Sequence, residues 1–235
     1  MRYSIPSSIK GISHLLTLSV VSALFILPMP VWAGYVPPTQ SRPIRTRTTT
    51  TGIRGSCMSA SSLSLTALAP KSHPGQTTLA RPTVYWYVPE PDPMQMQFIL
   101  EKIDEAGNPT QIWETEMTSQ VGLMALTLPP DAPALEVGQD YRWKAVLLCN
   151  PNRPSGAVIT SATMQRVAVL PNLSRTLGNG TQQVNVYAEN GIWYDAFNLA
   201  DAAGRRSLLN DLSQSEATSN AEYSEQLKQI EAALE

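Results

Sequence analysis

Between Leu63 and Leu170 the apolar and polar positions alternate with period two, in runs that Gly and Pro repeatedly interrupt; after Leu173 the period lengthens to that of a helix. The clearest run is Tyr141 to Cys149. Tyr141, Trp143, Ala145, Leu147 and Cys149 share one face, and Arg142 and Lys144 share the other, which is the pattern of a half-buried strand. Leu135-Glu-Val-Gly138 precedes it as a turn. A Gly turn delivering a Tyr into the start of a strand is the sequence shape of a tyrosine corner, as found in Ig-like sandwiches.

The other strands follow from the same rule. Leu63, Leu65, Ala67 and Ala69 alternate with Ser64, Thr66 and Leu68 up to Pro70, and the polar stretch Lys71 to Arg81 carries a turn at His73-Pro-Gly75. Thr83 to Val88 has the strongest β propensity, with Val84, Trp86 and Val88 on one face and Tyr85 and Tyr87 on the other. Pro89, Pro91 and Pro93 then enforce a loop. Met96 to Ile103 is apolar on both faces, which predicts a central strand or a bulged one. Asp104 to Pro109 is a hairpin turn leading into Gln111–Met117, where Glu114 and Glu116 oppose Trp113. Val121 to Leu128 and Val158 to Leu170 complete about seven strands with no helix between them. That order predicts a mainly β fold: an Ig-like or fibronectin-III-like antiparallel β-sandwich, with Trp86 and Trp143 filling the space between the sheets.

Past Gly178-Asn-Gly180 the pattern turns helical. Ile192, Trp193, Ala196, Phe197 and Ala200 fall at helical spacing, as do Leu208, Leu209 and Leu212. Ser219-Asn-Ala-Glu222 reads as a capping box for a stripe of Tyr223, Leu227, Ile230 and Leu234. Two or three short antiparallel helices are expected. They are too short to stand alone in water, so they must pack on each other, on the sandwich or on a partner.

Upstream of the sandwich, Arg2 and Lys10 precede the apolar run Leu15–Leu27, closed by Pro28 and Pro30. With Val31-Trp32-Ala33 ahead of Gly34, this reads as a secretory signal peptide cleaved after Ala33. The run is shorter than the ~18–20 apolar residues a membrane span needs, and no Cys follows the cleavage point to carry a lipid. No second apolar run exists, so no span is expected after cleavage. The expected divisions are 1–33 signal peptide, 34–56 disordered basic leader, 57–177 sandwich and 178–235 helical appendage. Residues 34–56 hold Arg42, Arg45, Arg47 and Arg54 with no acid, whereas residues 189–235 hold 9 acids against 3 bases. No basic face with interleaved aromatics appears, so nothing points to nucleic acid. Cys57 and Cys149 are the two cysteines. In an oxidising compartment they are expected to close a disulfide, whose loop of about 90 residues would stabilise by up to ~4 kcal/mol.

Catalytic signatures are scarce. The exported chain has a single histidine, His73, expected on an exposed turn, and there is no G-x-S-x-G, H-E-x-x-H or P-loop motif. Paired carboxylates for a glycosidase would have to come from Glu114 and Glu116 or from Glu90 and Asp92, residue pairs more often found facing solvent. Asp104, Glu105 and Asn108 lack the spacing of a calcium loop. No catalytic residue, metal site or cofactor is assigned. The aromatics carry more information. Tyr85, Tyr87 and Trp113 could present a face for sugars or protein, or the tyrosines could lie beneath the C-terminal helices. Trp193, Tyr194 and Phe197 could anchor a helix in a partner's groove, or fix that helix to the sandwich.

Several segments carry a resemblance in their order along the chain: Gly52-Ile-Arg-Gly-Ser-Cys57, Leu65-Thr-Ala-Leu-Ala-Pro70, Pro82-Thr-Val-Tyr-Trp-Tyr-Val-Pro89, Leu135-Glu-Val-Gly138, Tyr141-Arg-Trp143, Cys149-Asn-Pro151 and Tyr187-Ala-Glu-Asn-Gly-Ile-Trp-Tyr-Asp-Ala196. Together they resemble a cyanobacterial secreted family filed as a domain of unknown function, number 928. The resemblance covers about residues 35–215 and implies a cyanobacterial origin and export. It brings no activity or site residues. The polar, Glu-rich stretch after Gln214 departs from the more apolar ending that the resemblance implies. The expectation is an exported, periplasmic or extracellular, non-enzymatic interaction module with a protein partner. The alternatives are a glycan-binding module and, behind it, a carboxylate-dependent hydrolase.

Overall fold

The computed structural model describes residues 1–2, 4, 34–39, 63–150, 152, 156–169 and 180–234. Contacts divide the chain into Met1–Pro30 and Val31–Glu235, and the architecture belongs to the second unit. Eight strands are formed: β1 (Thr66–Ala67), β2 (Gly75–Thr77), β3 (Thr83–Val88), β4 (Gln95–Ile103), β5 (Pro109–Thr118), β6 (Gly122–Thr127), β7 (Asp140–Leu147) and β8 (Val158–Arg166). They make two sheets, ordered β1-β3-β6 and β2-β8-β7-β4-β5. Every pairing is antiparallel except β2 with β8.

The alternation read along the chain decides what faces the core. In the larger sheet Trp113, Leu100, Trp143 and Ala162 stand in register across β5, β4, β7 and β8. From the other sheet Trp86 meets them, 6.2 Å from Trp143 and 6.0 Å from Phe98 between ring centroids. The two tryptophans fill the space between the sheets, as their strand faces require. β4 is central, and its pairing with β5 shifts between Leu100 and Glu101, where Ile112 is the extra residue on the β5 side. Glu101 lies on the face of β4 opposite Leu100, paired with Arg142 of β7. That carboxylate takes bonds from Arg142 Nε at 2.5 Å and Lys144 Nζ at 2.6 Å. Burial alone would raise its pKa; the two cations outweigh burial and lower it. Ahead of β7, Gly138 has φ +80°, and the Glu136 N–H donates to the Tyr141 hydroxyl at 2.9 Å. The Gly-then-Tyr turn forms the corner that the sequence predicts.

Three expectations need correction. The run from Leu63 to Ala69 gives only a two-residue strand, and the polar stretch Lys71–Arg81 contains β2, which alternation does not reveal. Residues 34–39 are not a loose leader: Tyr35 is 6% exposed and joins the core, because an aromatic ring with a slot to enter gains more by burial than the strap loses in freedom. Residues 40–56, with the four leader arginines, lie outside the described residues, as do the signal segment from Ile5 to Ala33 and Cys57. Cys149, just past β7, is half-buried against the core.

The helices number four among the described residues: α1 (Thr181–Glu189), α2 (Trp193–Leu199), α3 (Ala202–Glu216) and α4 (Ala221–Ala233). α3 starts where the Asp201 side chain accepts the Gly204 N–H at 2.8 Å. The expected capping box at Ser219 does not form. Asn220 is the cap, without a side-chain cap bond, because its Nδ2 donates instead to Glu216 Oε2 at 2.6 Å. Gly191, between α1 and α2, has φ +74°, and a Cβ there would sit 2.8 Å from Pro38 Cγ. Only glycine meets both demands. No helix among the described residues is long and apolar enough to cross a membrane.

Candidate functional site

The titratable and aromatic residues gather where the helices meet β1, β2 and β3. α2 is seven residues long and could not persist alone. Its Trp193, Tyr194 and Phe197 are all at most 1% exposed. Trp193 Nε1 donates to the Leu68 carbonyl at 2.9 Å, and its ring stacks on Phe197 at 5.3 Å. Tyr194 reaches between the sheets, where its hydroxyl accepts the Trp143 Nε1 proton at 2.9 Å. Gly75 clears its path: a Cβ there would lie 2.8 Å from Tyr194 Cε2. These three aromatics join helix to sandwich, so the reading of α2 as an anchor for a partner's groove is corrected.

The tyrosine platform is corrected too. Tyr85 and Tyr87 are buried. Tyr85 packs edge-on to Phe197 at 5.0 Å, donates to Asn198 Oδ1 at 2.9 Å and lies beneath the Arg205 guanidinium. Trp113 belongs to the other sheet, half-buried, with Nε1 donating to Asp131 at 3.2 Å. The three do not share a face. β3 is covered on both sides, between the sheets and under α2, and that double burial is why it lacks a polar side.

Two buried carboxylates hold the seam. Asp195, 3% exposed, accepts from Thr77 Oγ1 at 2.6 Å and from Thr78 N at 3.0 Å, and also from Thr78 Oγ1. Burial raises its pKa and the three donors oppose the rise without cancelling it. Its bonds pin α2 to β2, which explains how three residues without apolar alternation hold a place in the sheet. Glu216, at the end of α3, accepts through Oε1 from Lys71 N and Ser72 N, both at 2.9 Å, and from Ser72 Oγ at 2.8 Å. Ser72 Oγ is also 2.9 Å from His73 Nδ1, and His73 Nε2 is 2.7 Å from the Tyr35 hydroxyl. Lys71 Nζ sits 3.9 Å above the Tyr223 ring. Burial lowers the Lys71 pKa to about 8 against the opposing pull of Glu216 and Glu222.

The Ser72–His73–Glu216 grouping invites comparison with a nucleophile and its base. The proton order argues otherwise. Ser72 donates to Glu216, so it accepts from His73 Nδ1–H, which leaves Nε2 to accept from Tyr35. His73 thus presents a proton to Ser72 where a general base would present a lone pair. Burial lowers the His73 pKa, with Glu216 opposing, so the ring is neutral near pH 7. His73 is 4% exposed, which corrects its expected place on an exposed turn: Pro74-Gly75 turns the chain inward beneath the N-terminal strap. No group of three metal-ligating side chains occurs among the described residues.

Elsewhere, Glu114 and Glu116 point outward on β5, and Glu90 is buried while Asp92 is exposed. Asp104 is the acceptor of its own turn, taking Asn108 N at 2.7 Å and Asn108 Nδ2 at 3.0 Å. A shallow recess of about 310 Å³ is lined by Val36, Pro37, Pro38, Thr39, Glu189 and Asn190. Among the described residues, β5 and β6 each end their sheet and are joined by the short turn 119–121, which marks the open side. Ile112, Trp113, Met117, Leu123 and Leu126 are only half-buried there, and Val121 in the connecting turn is 57% exposed.

Asp195, Glu216 and Tyr35 were not singled out by sequence reasoning. Glu216 had a signal: it continues the stripe Leu209, Leu212, Ser213 at a position that should be apolar. Asp195 had one as well, lying between aromatic and small residues on a helix buried on most sides.

The fold and this seam define a mainly β protein of two sheets whose C-terminal helices are structural parts of the body. A family model described as Domain of Unknown Function (DUF928) matches residues 49–233, and the chain belongs to that family. The match runs through α3 and to the end of α4, so the helices fall within the family's unit. No curated protein and no solved structure matches the chain.

Proposed function

We propose that this protein is an exported, non-enzymatic binding module of cyanobacterial origin, working in the periplasm or outside the cell on a protein partner that docks at the β5–β6 edge. The observation that carries this reading is β5 itself. It is ten residues long and ends its sheet, so one row of backbone N–H and C=O groups has no neighbouring strand among the described residues. Edge strands of that length are normally covered or blunted, and they are the surface on which an extended segment adds a strand. Half-buried Ile112, Met117 and Leu123 supply apolar contacts beside the edge, and Glu114 and Glu116 favour a basic segment.

Support for an Ig-like, fibronectin-III-like sandwich comes from the two strand orders and from the Tyr141 corner bond. Such folds commonly serve as interaction modules, a link by analogy of fold. The non-enzymatic reading is supported by the seam, where Ser72, His73, Asp195 and Glu216 spend their hydrogen bonds holding helices and strap. Export is supported by the leader, and with it the pairing of Cys57 with Cys149.

The test is cross-linked capture from the periplasm with a photoreactive side chain at Thr115. A defined protein should cross-link to the wild-type edge, at least about tenfold more than to an Ile112→Lys, Met117→Lys variant. Equal capture by both, or none, would remove the edge as the docking site.

A further inference from the structure

The strap Gly34–Thr39 is tied down through Tyr35, Val36 and Pro38. The Tyr35 ring lies edge-on to Trp193 at 5.0 Å, and its hydroxyl meets His73. Val36 N donates to the Ala188 carbonyl at 3.1 Å, and Pro38 fills the space left by Gly191. Tyr35 N donates to Asp211 Oδ2 on α3 at 3.1 Å. A substituent on the Gly34 Cα would stand 3.8 Å from Asp211 Oδ2 and 4.0 Å from Oδ1.

No ion pair involving Asp211 occurs among the described residues. Burial raises its pKa, and the one opposing influence is the Tyr35 N–H. A half-buried carboxylate with one neutral donor is under-compensated, and Gly34, whose Cα substituent position is 3.8 Å from Asp211 Oδ2, carries a backbone nitrogen able to acquire a positive charge. In the uncut chain that nitrogen is an uncharged amide.

We propose that hydrolysis of the Ala33–Gly34 bond creates the missing counter-charge: the new α-ammonium of Gly34 pairs with Asp211 and locks the strap onto α3. The proposal rests on the export reading above. Water adds across the C–N bond. Its oxygen ends on the Ala33 carboxylate, and the Gly34 nitrogen leaves as an amine that takes up a proton, since α-amino groups titrate near ~7.7–8.0. A signal peptidase supplies the catalysis, and only water is consumed. The nitrogen lies one bond, about 1.46 Å, from Cα, and rotation at a terminal glycine is free to turn it onto the carboxylate. Removing the leader then does more than release the chain. It tightens the strap over the His73–Ser72–Glu216 seam, so the processed protein is more stable than its precursor.

The experiment is a cycle on the chain Gly34–Glu235, released from a cleavable fusion so that Gly34 is free. Urea unfolding is compared for the free amine and for the chain acetylated at Gly34, each with Asp211 and with Asp211→Asn. Acetylation should raise the unfolding constant about 3- to 10-fold when Asp211 is present and leave it unchanged in the Asn variant. Equal effects in both backgrounds, or none, would overturn the lock. Terminal sequencing of the exported protein should return Gly34 first; any other first residue also overturns it. A Gly34 terminus with a flat cycle removes the lock and leaves export standing, whereas a chain that is never exported removes both.

Discussion

The two long sides of the sandwich treat their surfaces in opposite ways. On the side of β1 and β2 everything is consumed. α2 closes the space between the sheets with Tyr194, Asp195 takes the backbone N–H just after β2, Glu216 takes those of the turn before it, and the strap covers His73. On the side of β5 and β6 no helix and no strap arrives among the described residues, and apolar side chains stay half-buried beside an unpaired edge. The same sandwich thus shows one side completed by its own chain and one left open. A sandwich does not need a cover on both sides to be stable, so the open side can differ from the completed one without cost to the fold.

The hardest way to break this comparison is to remove the completed side. A chain ending at Leu177 would leave Trp143 without the Tyr194 hydroxyl and would expose Tyr85 and Leu68. Three aromatics at ~150–250 Å² each would leave the core. At ~25 cal/mol per Å² that is about 11–19 kcal/mol, as large as the ~5–15 kcal/mol that typically separates folded from unfolded, so this chain should show no cooperative thermal transition. A sandwich that melts cooperatively without residues 178–235 would show the helices to be dispensable.

A milder version sets one tryptophan against another. Trp193→Ala should cost about 3–5 kcal/mol, the range for a fully buried aromatic. Trp113→Ala, at the open side, should cost about 1–2 kcal/mol, because only part of its surface leaves water. Urea midpoints measured side by side decide it, and equal costs would erase the distinction between the sides.

That contrast also explains what the sequence could and could not reveal. Strands with one wet face were legible: in β7, Arg142 and Lys144 alternate with Trp143 and Ala145, and the structure places them accordingly. The Gly138–Tyr141 corner was legible because a positive φ and a following aromatic are local features. β2 was not legible, since Gly75-Gln-Thr77 owes its place to Asp195, more than a hundred residues away in sequence. The same holds for Tyr35, whose slot exists only once α2 and His73 are in place. Long-range polar pairing leaves no periodic trace. Tyr85 and Tyr87 show the related failure: two polar-tipped aromatics on the second face of a strand read equally well as a platform or as packing, and only the position of α2 chooses packing.

Glu216 probes the polar half of the seam. Its Oε1 receives three donors from Lys71 and Ser72. Glu216→Ala leaves all three unsatisfied in a buried place, and each such group costs about 1–3 kcal/mol. Some water entry is expected, so the net loss should be about 3–4 kcal/mol by chemical unfolding. A loss below about 1 kcal/mol would mean that the seam is held by its aromatics alone.

The pH dependence of stability is a finer probe of the same place. Burial lowers the His73 pKa in the folded state below its ordinary 6.5. The contribution is therefore fully present above about pH 6.5 and is lost as pH falls through the folded value. Asp195 and Asp211 have raised folded values, so their contributions run the other way and fade as pH rises from the acid range. The difference between wild type and His73→Gln isolates the histidine. The variant should show a shallower loss of stability below pH 6.5, and parallel profiles would take His73 out of the seam.

The smallest effect on stability belongs to the open side, where it carries the most information. Ile112 is half-buried on an edge strand, and a lysine there can extend its stem along the sheet and keep its ammonium in water. Ile112→Lys should therefore shift the urea midpoint by no more than about 1 kcal/mol equivalent. Edge lysines are also a natural means of preventing strand addition. If the β5 edge is where a partner docks, the same substitution should leave the fold intact and abolish capture at Thr115. A large loss of stability would instead mean that Ile112 belongs to the completed core, and that the two sides of the molecule differ less than their exposure suggests.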